Sequence, residues 1–363
     1  MLRVDKKQLW DKYCQQERGQ LKPILEGLGF ELDEIQVHIG GERYLSNSQK
    51  LVLVGRRVSD ELKVIIKVAN DSSGIDEIRR ERQCREMLGK IKFAYHVFFS
   101  PEEILYKEEK TRVIFITKYI EQDCQFLDRL IANQFFLALK GLEVQEGLQV
   151  TTYEHAKEIG NYFGIWSADD YWQKFSQYHQ DILAKLLGQK ETLDLFSQAE
   201  TFLSNNKKTI ALYSGFLTHW DFVPHNVRVK GNDIYLLDHS SIRFGNKYEG
   251  WARFINFMTL YNPELAEALL FYVQKNRPAS EYLSLRAMRV YRLAEIIWHY
   301  ANTLDLALGD LKILNQARID FWLKVLSAVL ANKYLDAKVV DDYRKKRDSL
   351  RSQSEKDRQK NLH

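Results

Sequence analysis

Near residue 120 the chain changes its hydrophobic period, and that change restricts the fold more than any single motif. Before it, three runs read as strands, EIQVHIGG, LVLVGRRV and LKVIIKVA. One helical stretch, IDEIRRERQCREMLGKI, and two further strand candidates, EEILYK and TRVIFITKYI, follow. Alternation with period two marks a half-buried strand, and a continuous apolar run marks one covered on both faces. A helical stretch from Trp10 to Phe30 leads this region. After residue 120, segments such as YWQKFSQYHQDILAKLL and RVYRLAEIIWHYANTLDLAL are aromatic-rich and helical, interrupted by one hairpin. The expected fold class is α+β and bilobal. Residues 1–118 form a small antiparallel sheet with one helix, led by a helix within 1–30, and residues 119–343 form a mainly helical lobe. Residues 344–363 read as a charged tail, a solvated or frayed helix.

With 363 residues, 45% of them hydrophobic, the chain buries enough core for two lobes without covalent staples. Cys14, Cys84 and Cys124 are scattered and form no CxxC pair, which argues against a disulfide framework and a zinc knuckle. A reducing cytoplasm is the expected location. MLRVDKKQLWDKYCQQERGQ at the amino terminus has no apolar core of a signal peptide, and no run approaches about eighteen apolar residues, so no membrane span is expected. The net charge of +4 is small, and the tail that carries much of it mixes both signs, so no nucleic-acid partner is inferred. Oligomeric state leaves no mark in the sequence.

The chemistry concentrates in THWDFVPHNVRVKGNDIYLLDHSS, Thr218 to Ser241. Asn226–Lys230 and Ile234–Asp238 read as strands joined by the three-residue loop Gly231-Asn232-Asp233. If Lys230 faces Ile234, Asn226 faces Asp238. Cβ atoms opposed across an antiparallel pair lie roughly 5 Å apart, close enough for a carboxamide and a carboxylate to share a hard cation. Few oxygen ligands point to Mg2+, with water and phosphate oxygens completing the shell. Asp221, in the loop entering the hairpin, is placed to accept or orient a hydroxyl proton for attack on a phosphate. A zinc reading from His219, Asp221, His225 and His239 lacks a helical HExxH or clustered thiolates. His225 and His239 read as loop residues without chemistry.

HWDFVPHN, His219 to Asn226, resembles the His-x-Asp-x-x-Pro-x-Asn loop of the aminoglycoside phosphotransferase and choline kinase families, which share the protein-kinase fold. IYLLDHS resembles their strand ending in a metal-binding aspartate. The resemblance implies Asp221 as catalytic base, His219 as the brace of its loop, and Asn226 and Asp238 as magnesium ligands. It also demands a lysine on the third strand and a helix carboxylate to hold it. Lys67 in LKVIIKVA meets the first demand, unless it is an edge-strand lysine. Glu81 meets the second, because Ile78, Cys84 and Leu88 share its helix face while Glu86 points to solvent.

GGERYLSNSQK lacks GxGxxG but looks like the Ser-Asn loop of small-molecule phosphotransferases, with Ser46, Asn47 and Ser48 cradling phosphate; a plain hairpin loop is the alternative. RVIFITKYIEQ resembles the strand that ends at the interlobe hinge. Adenine would bond the backbone near Lys118 and Ile120, with Thr117 at the back, and the choice between ATP and GTP stays open. Trp220 replaces the glycine usual in phosphotransferases and is read as packing under the loop. Glu249 stands where those families carry an aspartate and is expected to brace the catalytic loop. Trp251, Trp298, Tyr300 and Trp322 are read as core in preference to an acceptor-stacking surface. The expected activity is Mg-dependent phosphoryl transfer to a hydroxyl of a sugar, aminoglycoside or amino alcohol. The alternatives are an atypical protein kinase and a catalytically silent nucleotide-binding module.

Overall fold

The alternating runs of the first lobe become one five-stranded antiparallel sheet in the computed structural model, which describes residues 6–46, 48–91, 99–152, 156–186 and 190–360. Helix α1 (Lys6–Gly27) leads into β1 (Phe30–Leu32), β2 (Leu51–Arg57) and β3 (Leu62–Ala69). Helix α2 (Ser72–Lys90), β4 (Glu103–Glu109) and β5 (Arg112–Lys118) complete the lobe. The order β1-β2-β3-β5-β4 puts β3 at the centre, so Lys67 is not an edge-strand lysine. Alternation along β3 divides its side chains. Val64, Ile66 and Val68 pack with Leu51, Leu53, Ile114 and Ile116 against Leu21 and Leu25 of α1. Ala69 on the other face joins Val113 and Phe115 against Ile78 of α2.

EIQVHIGG, expected as a strand, instead forms two 3-10 turns, Val37–Ile39 and Gly41–Leu45. Gln36 supplies the physical reason. Its Nε2 donates to the carbonyls of Asp33 and Val54, both at 2.7 Å, and its Oε1 accepts from the Val54 amide at 2.8 Å. The side chain thereby engages backbone groups that a longer β1 would have paired, and the chain is free to turn.

The second lobe begins with α3 (Ile131–Thr152), α4 (Ala156–Phe163), α5 (Ala168–Lys185), α6 (Lys190–Asn205) and α7 (Lys207–Leu212). Short strands β6 (Phe216–His219), β7 (Val227–Lys230), β8 (Asp233–Leu236) and β9 (Ile242–Gly245) then pair as β6 with β9 and β7 with β8. Helices α8 (Glu249–Tyr261), α9 (Pro263–Asn276), α10 (Ala279–Thr303), α11 (Asp310–Leu330), α12 (Ala337–Leu350) and α13 (Gln353–Lys360) follow. Trp251 and Trp322 are buried in this core, and the Trp298 indole donates to Asp181 at 2.7 Å, so all three are structural.

Arg344, the expected start of a solvated tail, lies inside α12, where Tyr343 stacks on Phe321 at 4.2 Å. Helix α13 docks on the first lobe through Glu355, which is 1% exposed. Mixed charge in this segment reflects internal pairing, Arg358 with Glu355, rather than solvation alone. Among the described residues no helix is long and apolar enough to cross a membrane. The lobes are stitched at the hairpin: the Phe99 amide donates to Ile234 at 3.0 Å, and the Leu236 amide to Phe99 at 2.9 Å.

Candidate active site

Strand alternation in the sheet sends Val52, Ile65, Lys67 and Thr117 toward the second lobe, where they line a cavity of about 350 Å³. The Lys67 ammonium donates to both oxygens of Glu81, at 2.6 and 2.5 Å, with the two side chains 13% and 3% exposed. Glu81 reaches it because it shares the inward face of α2 with Ile78 and Cys84. A second pair, Lys50 with Glu77, lies beside it on the same wall.

The opposite wall is built by the catalytic-loop segment and the hairpin, which present Asp221, His225, Asn226, Leu237 and Asp238. Pro224 opens the one-turn 3-10 helix Pro224–Asn226, which brings the Asn226 amide group back to Asp221. Asn226 Nδ2 donates to Asp221 Oδ2 at 3.0 Å and to the Asp221 carbonyl at 2.9 Å. Arg253 of α8 donates through Nε to Asp221 Oδ1 at 2.7 Å. Burial would raise the Asp221 pKa, but Arg253, His225 and Arg292 outweigh it and hold the carboxyl well below its ordinary range.

Asp238 sits in the left-handed region, with φ 54° and ψ 61°. Asp is among the few residues that tolerate that conformation. His219 holds it there: Nε2 lies 3.1 Å from the carbonyls of Leu237 and of Asp238, and since carbonyls only accept, that nitrogen carries the proton. Ser240 and Ser241 hydroxyls donate to the Asp238 carboxylate at 2.6 and 3.2 Å. Burial raises its pKa, yet Lys50 and Lys67 across the cleft bring it down to about 2. The carboxylate is therefore ionised and faces two lysines. With the neutral carboxamide oxygen of Asn226 it makes a donor set that fits a hard divalent cation whose other ligands are phosphate and water.

No protein-family model matches the chain, and comparison with curated proteins finds no match. Solved structures do resemble it. A thermostable mutant of aminoglycoside phosphotransferase APH(4)-Ia, in its apo form, shares 14% identity, covering 77% of this chain and 92% of that one, with a TM-score of 0.56. Macrolide 2'-phosphotransferase type I shares 13% identity over 84% of this chain and 97% of that one, with a TM-score of 0.54. An aminoglycoside phosphotransferase from Alicyclobacillus acidocaldarius shares 14% identity over 81% and 90%, with a TM-score of 0.51. This chain has the bilobal phosphotransferase fold.

Within the phosphotransferase fold the cleft collects Lys67, Glu81, Thr117, Lys118, Ile120, Asp221, Asn226 and Asp238. His219 lies behind it as a brace. Ser46 and Ser48 do not line it, and Asn47 lies outside the described residues. Those serines turn inward on their own loop: Ser46 Oγ accepts from the Ser48 amide at 3.4 Å and Ser48 Oγ from the Lys50 amide at 3.1 Å. Arg43 and Lys50, from the same segment, line the cleft instead.

The hairpin register also differs from expectation. Lys230 pairs with Asp233, not Ile234, across a two-residue turn whose first residue, Gly231, has φ 59°. Positive φ there suits the twist of a tight hairpin, which a three-residue loop would not need. Asn226 is consequently opposite Leu237, whose amide donates to its carbonyl at 2.8 Å, and the left-handed turn at Asp238 restores the approach of the two side chains to one cleft.

Glu249 braces a different element from the one expected. It is buried and binds Arg243 of β9 and the Tyr171 hydroxyl, the latter at 2.7 Å. Trp220 packs against the guanidinium groups of Arg292 and Arg243, at 5.1 and 5.6 Å from its ring centre. His239 bonds the Ser100 hydroxyl at 2.8 Å, and no three His, Cys, Asp or Glu side chains converge on a metal site among the described residues. His225, by contrast, lines the cleft.

Sequence reasoning missed Arg43, Arg85, Arg228, Arg253 and Arg358. Arg43, Arg85 and Arg228 line the cleft without a carboxylate partner among the described residues, and burial lowers the pKa of each. Nothing in their local spacing marks them. They share only a destination, created when the lobes close on each other.

Proposed function

We propose that the chain is a magnesium-dependent phosphotransferase that moves the γ-phosphate of ATP or GTP to a hydroxyl of a small molecule, of the sugar, aminoglycoside or amino alcohol kind. The observation that carries this reading is a single cleft with Lys67 held on Glu81 along one wall and Asp221, Asn226 and Asp238 along the other. Surplus guanidinium charge from Arg43, Arg85 and Arg228 favours a polyanionic ligand there. Structures of the same fold described with ADP and hygromycin B, and with ATP and streptomycin, support a nucleotide and a small acceptor in one cleft.

In this mechanism Lys67 meets the α- and β-phosphates, and Glu81 keeps it extended toward them. The Lys118 and Tyr119 amides are engaged by Glu102 and Lys63 at 2.9 and 3.0 Å, which leaves the Ile120 amide as the hinge donor for the base. Asn226 and Asp238 would hold Mg2+, whose charge offsets that building on the phosphoryl group. Asp221 orients the acceptor hydroxyl. As the acceptor oxygen bonds to the γ-phosphorus, the bridging P–O bond breaks, the nucleoside diphosphate leaves and the hydroxyl proton passes to Asp221. Because Arg253 keeps Asp221 a weak base, orientation precedes proton transfer, which suits a loose transition state.

The Arg253 bond to Asp221 also favours a second reading, a nucleotide-binding module without turnover. Thermal melts with and without Mg·ATP and Mg·GTP, on wild type and Asp238→Ala, test the nucleotide site, since a ligand selective for the folded state raises the midpoint. A magnesium-dependent rise absent from the variant is expected; no rise at millimolar nucleotide would refute the site. Release of nucleoside diphosphate across a panel of hydroxyl acceptors then separates transfer from silent binding, and labelling of the protein itself without acceptor would mark a protein kinase.

A further inference from the structure

We propose that α13 is a working part of the cleft: it docks on the 3-10 turn ahead of β2 and delivers Arg358 to the nucleotide phosphates. The inference rests on the phosphotransferase reading above. Two consecutive amides of that turn are capped by α13. The Gly41 amide donates to Ser354 Oγ and the Glu42 amide to Glu355 Oε2, each at 2.9 Å. Gly41 has φ +61°, and a Cβ there would run into the Glu355 carboxylate and lie 3.0 Å from Glu355 Cα, so only glycine allows this approach.

Glu355, buried in the contact, grips Arg358 through Nε and Nη2, both at 2.8 Å. That leaves Nη1 for a further acceptor. The held guanidinium lines the cleft with His38 and Arg43 from the first lobe and with His225, Asn226 and Asp221 from the second. Its charge depresses the pKa of both His38 and His225, which places it between the lobes. The closure is double. Arg318 of α11 binds the Glu42 carboxylate at 2.6 and 2.9 Å, and Gln125 just past the hinge donates to the Lys360 carbonyl at 3.1 Å. A helix fastened to both lobes, with one arginine fixed over the catalytic loop, fits a phosphate-contacting strap.

The test measures Mg·ATP affinity by calorimetry, with kcat and KM on any acceptor the wild type uses, for wild type, Arg358→Ala, Arg358→Lys and Gly41→Ala. Melts without ligand establish that each variant folds. Loss of one charge-assisted contact should weaken Mg·ATP binding about tenfold in Arg358→Ala, with partial recovery in Arg358→Lys. Gly41→Ala should reproduce the loss with Arg358 intact, a result that a merely structural arginine would not give. If Gly41→Ala fails to fold, the Ala and Lys replacements of Arg358 decide the matter. Wild-type binding with unchanged affinity in Arg358→Ala would overturn the strap's role and leave the phosphotransferase reading standing. Tighter binding or faster turnover in Gly41→Ala would overturn it in favour of an inhibitory cap. Absence of Mg·ATP binding by wild type would remove the phosphotransferase reading and this proposal with it.

Discussion

Asp221→Asn removes one charge from the cleft and keeps the shape of the side chain. The carboxylate accepts from Arg253 at 2.7 Å and from Asn226 at 3.0 Å, with the Asp221 and Arg253 side chains 20% and 19% exposed. Loss of the charge-assisted bond to Arg253 costs about 1.5–3 kcal/mol of stability. At about 2 °C per kcal/mol for a chain of this length, the melting midpoint falls by roughly 3–6 °C. The catalytic loss is larger. A positioned proton acceptor contributes about 10²–10⁴-fold, or about 2.7–5.5 kcal/mol of transition-state stabilisation. Lys67, Glu81 and Asp238 are untouched, so the Kd for Mg·ATP should stay within about threefold. The assay is diphosphate release on an acceptor that the wild type uses, paired with calorimetric titration of Mg·ATP below the melting transition. Turnover within tenfold of wild type would refute the role given to Asp221. A parallel loss of nucleotide binding would show instead that the residue supports the site as a whole.

Arg253→Gln should let the Asp221 pKa rise, so that an acid limb of kcat/KM becomes visible near about pH 4, and an unmoved profile would argue against the pairing's influence. Glu81→Gln leaves Lys67 with no carboxylate in a poorly hydrated wall, and should cost about 3 kcal/mol and raise KM for nucleotide, measured by denaturant unfolding and steady-state rates. Asp238 has a folded pKa of about 2. Its contribution is thus present above the unfolded value near 3.8 and fades as pH falls through about 2, and Asp238→Asn should flatten that part of the acid-unfolding curve. His38 and His225 have folded pKa values lowered to about 4. The unfolded chain takes up their protons first, so stability should decline as pH drops from about 6.5 to 4, less steeply in His38→Asn.

Much of the site was legible because its residues obey local rules. The periodicity of LKVIIKVA put Lys67 inside a sheet, and the spacing of Ile78, Glu81 and Cys84 put one carboxylate on the buried face of α2. The turn at Gly231 was readable as a hairpin but not its register, because a one-residue difference depends on the φ of Gly231 and on the bonds of the adjoining strands. Ser46 and Ser48 suited a phosphate loop by composition, yet their hydroxyls capture neighbouring amides. Gln36 ended a strand that the hydrophobic pattern had extended, since a side-chain amide can replace a backbone partner without altering the apolar period.

By itself the sequence determined the order of elements, the division near residue 120, and the identity of the lysine, glutamate, aspartates and asparagine that face one another. Those features follow from side-chain period and turn chemistry, which act over a few residues. The tertiary structure decided the electrostatics: Arg253 on Asp221, two lysines opposite Asp238, and Arg358 carried in by a helix that composition marked as a solvated tail. Guanidinium and carboxylate groups interact across the space between packed elements, and their partners are set by how helices and sheet dock, which no local pattern records.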